Sequence, residues 1–421
     1  MKRFLLILFV AVITAGISSM LSAQVAGPKG DLIVIGKIDT IHSAILNEDR
    51  AVWIYVPESA GFPGKTYPVV YLLDGDAHFY SVMGLIQQLS TVNGNTVCPE
   101  MIIVGIPNTD RMRDLTPTLV KEAMGDTLIN EITGGMGEFT SFIEKELMPY
   151  IESHYPVSPY KMYIGHSLGG LAVIHTLLTR PELFNAWLAI DPSLWWDDRL
   201  IAEMSVVLDD KKKFAHESLY LAIANTMPSG MTLDQAVRDT TLETEHIRSI
   251  IDFRDIAGKK MKSNGMDFKD RYYPDEDHGS LPLIAEMDAF KYLYSWYSFG
   301  FKDFQKFMEQ DAKFTAKEFV DVLNAHYDKV SEHFGYKVPP DERMINSLGY
   351  QFLGMQKNDL SFACFDLNVK NFPQSSNVFD SMGDYYVTIG DIEKGVDFYA
   401  KALAVEEVRM TREKYEALKS K

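Results

Sequence analysis

The chain divides according to the period of its apolar positions. From Asp31 to Pro57, isoleucines at 33, 35, 38, 41 and 45 are spread among polar residues. After a turn at Asn47-Glu48-Asp49, the run Ala51-Val52-Trp53-Ile54-Tyr55-Val56 stops at Pro57, a pattern of two antiparallel edge strands. The runs Tyr67 to Leu73, Met101 to Ile106, Tyr160 to Ile164, Ala186 to Ile190 and Ser218 to Ala224 are close to continuously apolar, as strands covered on both faces of a parallel sheet must be. Phe268 to Tyr273 reads as the last strand. Helical patterns fall between them, around Tyr80 to Leu89, Glu138 to Tyr150, Leu171 to Leu178 and Arg238 to Ile256. Alternation of buried strands with helices predicts an α/β fold with a mainly parallel sheet, whose ligands sit at the carboxyl ends of its strands.

From about Gly300 the strand runs cease and helical patterning takes over. Leu348-Gly349, Phe352, Phe365 and Pro373 recur after 34 residues as Met382-Gly383, Tyr386, Tyr399 and Glu407, with small residues at Gly390 and Ala402. Over residues 341 to 408 this resembles the tetratricopeptide repeat family, although Gly395 and Asn368 depart from its pattern. Two units fall short of a free-standing solenoid, so an all-helical region over 301–421 is expected to dock on a domain over 24–300, with Phe314 to Pro340 supplying further helices. Its surface would serve as a structural cap, a dimer contact or a protein-binding face.

Composition adds a compartment. Met1-Lys2-Arg3, the apolar run Phe4 to Ile13 and the small residues up to Leu21-Ser22-Ala23 form a secretory leader, cleaved after Ala23, which implies a secreted or periplasmic protein. The apolar run is too short for a permanent anchor, so no stable membrane insertion is expected after cleavage. The 41 basic and 58 acidic residues give a net charge of −17, and removing Lys2 and Arg3 leaves −19, which disfavours nucleic acid as a partner. Cys98 and Cys364 alone exclude a disulfide-stapled scaffold or a cysteine-rich metal site.

Candidate chemistry centres on Gly165-His166-Ser167-Leu168-Gly169-Gly170. A serine between glycines, with a strand before and a helix after, is a nucleophile elbow: side chains at 165 and 169 would obstruct the sharp turn that lifts the Ser167 hydroxyl. The backbone N–H of Leu168, at a helix N-terminus, then faces a developing oxyanion. The second donor is expected from the loop after Leu73, at the N–H of Asp76 or of Gly75. A serine needs a base, and His278 in Tyr273-Pro274-Asp275-Glu276-Asp277-His278-Gly279-Ser280 follows the last strand, the position an α/β-hydrolase gives its histidine. His42, His166, His175, His216 and His246 do not sit at converging strand ends. The loop after Ala224 carries no nearby carboxylate, so Asp239 is taken as the acid, with Asp234 and Glu276 as alternates and a Ser-His dyad as the remaining option. Trp195 and Trp196 suit either a substrate wall or core packing. Arg111, with Arg113 and Asp114, suits either a substrate carboxylate or a bracing salt bridge.

Taken together, Ser43 with Glu48-Asp49-Arg50, Tyr71 to Asp76, Val104-Gly105-Ile106 with Asp110-Arg111, Gly165 to Gly170, Asp191 to Trp196 and Asp277-His278-Gly279-Ser280 resemble an esterase family of α/β-hydrolases. That family includes esterase D, siderophore trilactone esterases and feruloyl or acetylxylan esterases, and the resemblance spans roughly residues 31 to 300. It implies carboxylic-ester hydrolysis through an acyl-serine, with no metal and no cofactor, on a siderophore lactone or on a feruloyl or acetyl ester of a glycan. Acyl transfer to an alcohol is the alternative chemistry on the same site. A protein-binding module with a vestigial site is the alternative function, and retention of both Ser167 and His278 weighs against it.

Overall fold

A computed structural model describes residues 32–61, 65–123, 126–127, 132–206, 214, 216–299, 307 and 315–419. The leader expected at 1–23 lies outside the described residues. Ten strands are present among them: β1 (Lys37–Ser43), β2 (Glu48–Tyr55), β3 (Tyr67–Leu73), β4 (Ile102–Ile106), β5 (Glu122–Ala123), β6 (Asp126–Thr127), β7 (Val157–His166), β8 (Ala186–Ile190), β9 (Ser218–Ala224) and β10 (Asp267–Tyr273). Eight form one sheet in the order β1-β2-β4-β3-β7-β8-β9-β10, and β5 and β6 make a separate hairpin. Strands β4, β3, β7, β8, β9 and β10 run parallel, and β2 joins β4 antiparallel. The mainly parallel α/β sheet expected from the apolar runs is therefore present.

Every residue of β3, β4, β8 and β9 is buried, because helices cover both faces. The last strand, β10, alternates exposed and buried positions, as an edge strand with one wet face does. Helix α1 (Gly75–Ser90) follows β3 and α2 (Leu168–Thr179) follows β7. Ten of the twelve residues of α2 are buried, so its all-round apolar sequence reports a helix sunk into the core rather than laid on a surface. Beneath it, Phe184 stacks on Tyr163 with ring centroids 4.4 Å apart, and Trp187 meets Phe184 edge-on. The order of strands reverses between β3 and β7, which opens a crevice at their carboxyl ends.

One helix differs from its expected span. Thr232 and Gln235 form a capping box that starts a short turn over Leu233–Arg238, and Asp239 ends it in an extended conformation. The long helix α3 begins only at Glu245 and runs to Ser263, followed after β10 by α4 (Leu281–Leu293). The break is local chemistry: the Asp239 carboxylate accepts hydrogen bonds from the hydroxyls of Thr241 and Thr244, competing with helix continuation.

The C-terminal region is helical: α5 (Ala316–Phe334), α6 (Glu342–Gly354), α7 (Asn358–Asn371), α8 (Ser376–Thr388), α9 (Ile392–Val405) and α10 (Arg409–Lys419). Both α6 and α8, and α7 and α9, start 34 residues apart. A Cβ on Gly349 would lie 2.6 Å from the Phe365 ring, and one on Gly383 2.5 Å from the Tyr399 ring, so the same glycine-on-aromatic contact recurs in both pairs. This region docks on the sheet domain. Trp296 stacks on His333 at 4.4 Å, Phe334 meets Tyr160 of β7 edge-on at 5.0 Å, and the Tyr336 hydroxyl donates to Ser158 Oγ at 2.8 Å. Among the described residues no helix is long and apolar enough to cross a membrane.

Candidate active site

Ser167 occupies the turn between β7 and α2 with φ 59° and ψ −117°, a region that L-residues avoid at a cost on the order of 1–3 kcal/mol. Its N–H donates to Ile190 O, and its carbonyl accepts from the N–H groups of Leu171 and Ser193, each at 3.0 Å. Added side chains would break the turn. A Cβ on Gly165 would collide with the backbone of Gly169, and one on Gly170 would lie 2.9 Å from Pro192 Cα. The Ser167 hydroxyl lies 3.2 Å from Ser193 Oγ. Leu168 is the first residue of α2, so its N–H has no acceptor within the helix.

The facing loop after β3 is equally constrained. Asp74 has φ 50°, and a Cβ on Gly75 would lie 2.6 Å from Ile106 N. Asp76 is in the first turn of α1. Arg111 grips Asp74 with two hydrogen bonds, Nε to Oδ1 at 2.7 Å and Nη2 to Oδ2 at 3.0 Å. Burial works to raise the Asp74 pKa, but Arg111 together with the Asn108 amide and His78 outweighs it and keeps the carboxyl below its ordinary value. These contacts brace the loop. Arg113 likewise pairs with Glu48 and Asp114, and Asp114 with the buried Arg50.

His278 lies in the loop between β10 and α4, with its ring 4.5 Å from that of His166, the neighbour of Ser167. Its Nδ1 is 2.6 Å from Asp191 Oδ2. Asp191, not Asp239, is the carboxylate that meets this histidine. Asp239 stands on the Thr241 and Thr244 hydroxyls, which lower its pKa to about 2. Chain order predicts the acid after β9, but β8 lies next to the elbow strand, and a residue directly after it already stands at the serine's side. The available signal was an aspartate at the carboxyl end of a wholly apolar strand. Asp191 is fully buried with φ 40°, and its Oδ1 accepts the Ala224 N–H at 2.9 Å. Burial pushes its pKa up, yet hydrogen bonds from His246 and His278 outweigh that and hold it well below the carboxylate range.

His246, which the sequence reading set aside, is the second histidine on Asp191, with Nε2 2.9 Å from Oδ2. It sits in the first turn of α3, with no local sequence signal. Trp195, partly buried, donates its indole N–H to His246 Nδ1 at 2.9 Å. Trp196 is a core residue, almost fully buried and hydrogen-bonded to Thr118 Oγ1. Asp191, His246 and His278 are close enough together for a metal ion to span them, but their facing atoms are already paired as N–H donors and a carboxylate acceptor. The trio is a hydrogen-bonded unit.

Below the elbow, burial and the neighbouring His278 and His78 push the His166 pKa down to about 4, so its ring is neutral. Glu286 on α4 is fully buried, and its two carboxyl oxygens have no hydrogen-bond partner among the described residues. Burial raises its pKa to about 8.

The model of the family described as "Putative esterase" matches residues 43–278, more than half of the chain and the stretch from the Glu146-bound Ser43 to His278. The chain belongs to this esterase family. The chain is also similar to siderophore esterases. The esterase is 28% identical over 247 residues to the siderophore enterobactin esterase of Emericella nidulans, covering 53% of this chain and 81% of that one. It is 33% identical over 171 residues to the ferri-bacillibactin esterase BesA of Bacillus subtilis, covering 37% of this chain and 58% of BesA. The crystal structure of an IroE-like serine hydrolase from Shewanella oneidensis superposes with a TM-score of 0.65 at 32% identity, covering 79% of this esterase and 98% of that chain. The protein is a carboxylic-ester hydrolase.

Proposed function

We propose that the esterase hydrolyses an ester bond of a siderophore through an acyl-enzyme on Ser167, with His278 as base and Asp191 as its orienting acid. The observation that carries this reading is the 2.6 Å contact of His278 Nδ1 with buried Asp191, beside the strained Ser167 turn. With Nδ1 engaged, Nε2 is the nitrogen left to take the Ser167 proton. Oγ attacks the ester carbonyl carbon, and negative charge develops on its oxygen near the N–H groups of Leu168 and of Asp76 or Gly75. His278 then returns the proton to the departing alkoxide, the alcohol leaves, and a water activated in the same way releases the acid. Siderophore activity in the relatives supports that substrate class over a feruloyl or acetyl glycan ester.

The Met1–Ala23 leader motif supports hydrolysis outside the cytoplasm. The 34-residue recurrence of paired helices supports a tetratricopeptide-like region over 301–421 that buttresses a hydrolase domain over 24–300. Fluorophosphonate labelling of wild type and Ser167→Ala, followed by a panel of catecholate trilactone, methyl ferulate and acetylated xylan, tests the reading. Labelling that persists without Ser167 would overturn the mechanism. Hydrolysis of ferulate or xylan esters with none of the trilactone would overturn the substrate.

A further inference from the structure

Two imidazoles share one oxygen of Asp191: His278 through Nδ1 at 2.6 Å and His246 through Nε2 at 2.9 Å. The protonation of His246 follows from its other neighbour. An indole N–H only donates, so Nδ1, which receives the Trp195 N–H at 2.9 Å, must present a lone pair. The single proton of His246 is therefore on Nε2, pointing at Asp191. We propose that His246, held in this neutral tautomer by Trp195, is a positioning residue that acts on His278 through the shared carboxylate. This inference rests on the Ser167, His278 and Asp191 reading above.

A fully buried carboxylate needs donors, and Asp191 has three: Ala224 N–H on Oδ1, and the two imidazoles on Oδ2. The His246 N–H fixes the carboxylate in place and draws off part of its charge. What remains of that charge sets how tightly His278 holds a proton. The groups facing His246 from other elements are Asp191, Trp195 and His278, the last with its ring edge-on at 5.2 Å. On its own helix, Glu245 is paired with Arg199 at 2.9 Å, and Arg248 is bonded to Thr241 O and Thr244 Oγ1. The His166 ring lies 4.5 Å from the His278 ring.

Substitutions should therefore move the pH profile in opposite directions. His246→Leu removes a donor and concentrates charge on Asp191, so the acid limb of kcat/KM moves up by about half to one pH unit. Trp195→Phe keeps an aromatic ring but frees the Nδ1 lone pair to accept a proton. A second cation then sits on Asp191, and the limb moves down by about the same amount. His246→Gln can donate its amide N–H to Asp191 and accept from Trp195, yet cannot titrate, so it restores the limb that leucine displaces.

Steady-state kcat and KM on a nitrophenyl ester between pH 5 and 9 read all three variants, with fluorophosphonate labelling of Ser167 in each. Opposite shifts with rescue by glutamine support the inference. Identical profiles in Leu, Phe and wild type, with Ser167 still labelled, overturn it and leave the nucleophile standing. Loss of Ser167-dependent labelling in wild type instead removes the underlying reading. If the leucine variant does not fold, a Trp195→Phe limb that stays put or rises overturns the inference by itself.

Discussion

The sheet domain and the C-terminal helices treat irregularity in opposite ways. Around Ser167 the chain holds residues in unfavourable backbone geometry, with positive φ at Asp74, Ser167 and Asp191, buries Asp191 and Glu286, and keeps a neutral His166 half-buried beside them. The paired helices α6 to α9 repeat one glycine-on-aromatic contact at a spacing of 34 residues, and between Glu342 and Val405 only Gln356, in the turn after α6, is a non-glycine residue with positive φ. The difference teaches where the stability goes. Repeated packing builds a frame, whereas a reactive site needs groups held where they would not settle unaided.

The largest expected effects fall on the irregular side. His278→Ala should lower ester turnover about 10⁴-fold with the fold intact, since such groups act as a unit. Asp191→Asn should cost about 10⁴-fold as well, while Asp239→Asn stays within about twofold of wild type. Kinetics with the reverse ranking of the two aspartates would reassign the acid. Next in size is Gly165→Ala, expected to destabilise by about 3 kcal/mol or more, because the obstruction is backbone and cannot swing away. Gly383→Ala, which meets a side-chain ring, should cost about 1–3 kcal/mol. Equal urea midpoints for these two variants would erase the contrast between the regions.

Glu286 offers a pH test. Its folded pKa of about 8 exceeds the ordinary glutamate value of 4.5, so its neutral form is favoured by folding. Its contribution is fully present below about pH 4.5 and is lost as pH rises toward 8, a deficit of about 3 kcal/mol at pH 7. Glu286→Gln should therefore stabilise the protein at pH 7 and 8.5 and leave it nearly unchanged at pH 4.5. A gain independent of pH in urea titrations would mean that ionisation is not the cause. Smallest of all, Gly354→Ala, at a helix end with open space around it, should add about 0.5 kcal/mol, seen as a raised midpoint.

The Ser167 turn, the His278 loop and the strand runs were legible because each is written largely in local sequence. Gly165 is dictated by a collision with the backbone of Gly169, four residues on, and β3, β4, β8 and β9 by unbroken apolar runs, whereas a Cβ on Gly169 would meet Asp74 and Leu73 at the end of the neighbouring strand. Trp196 was ambiguous in sequence, since pairing with Trp195 says nothing of which ring is buried. The Asp239 assignment failed because it followed chain order, and the Thr241 and Thr244 hydroxyls that claim its carboxylate also ended the helix early.

The sequence by itself determined the parallel α/β core, the helical C-terminal region, the serine turn and the histidine loop, because neighbours within a turn or a strand decide each of them. Only the tertiary structure decided which carboxylate meets His278 and that His246 and Trp195 stand behind it. Those partners are 87, 55 and 51 residues apart along the chain, and it is the order of strands β8, β9 and β10 that brings them to one place.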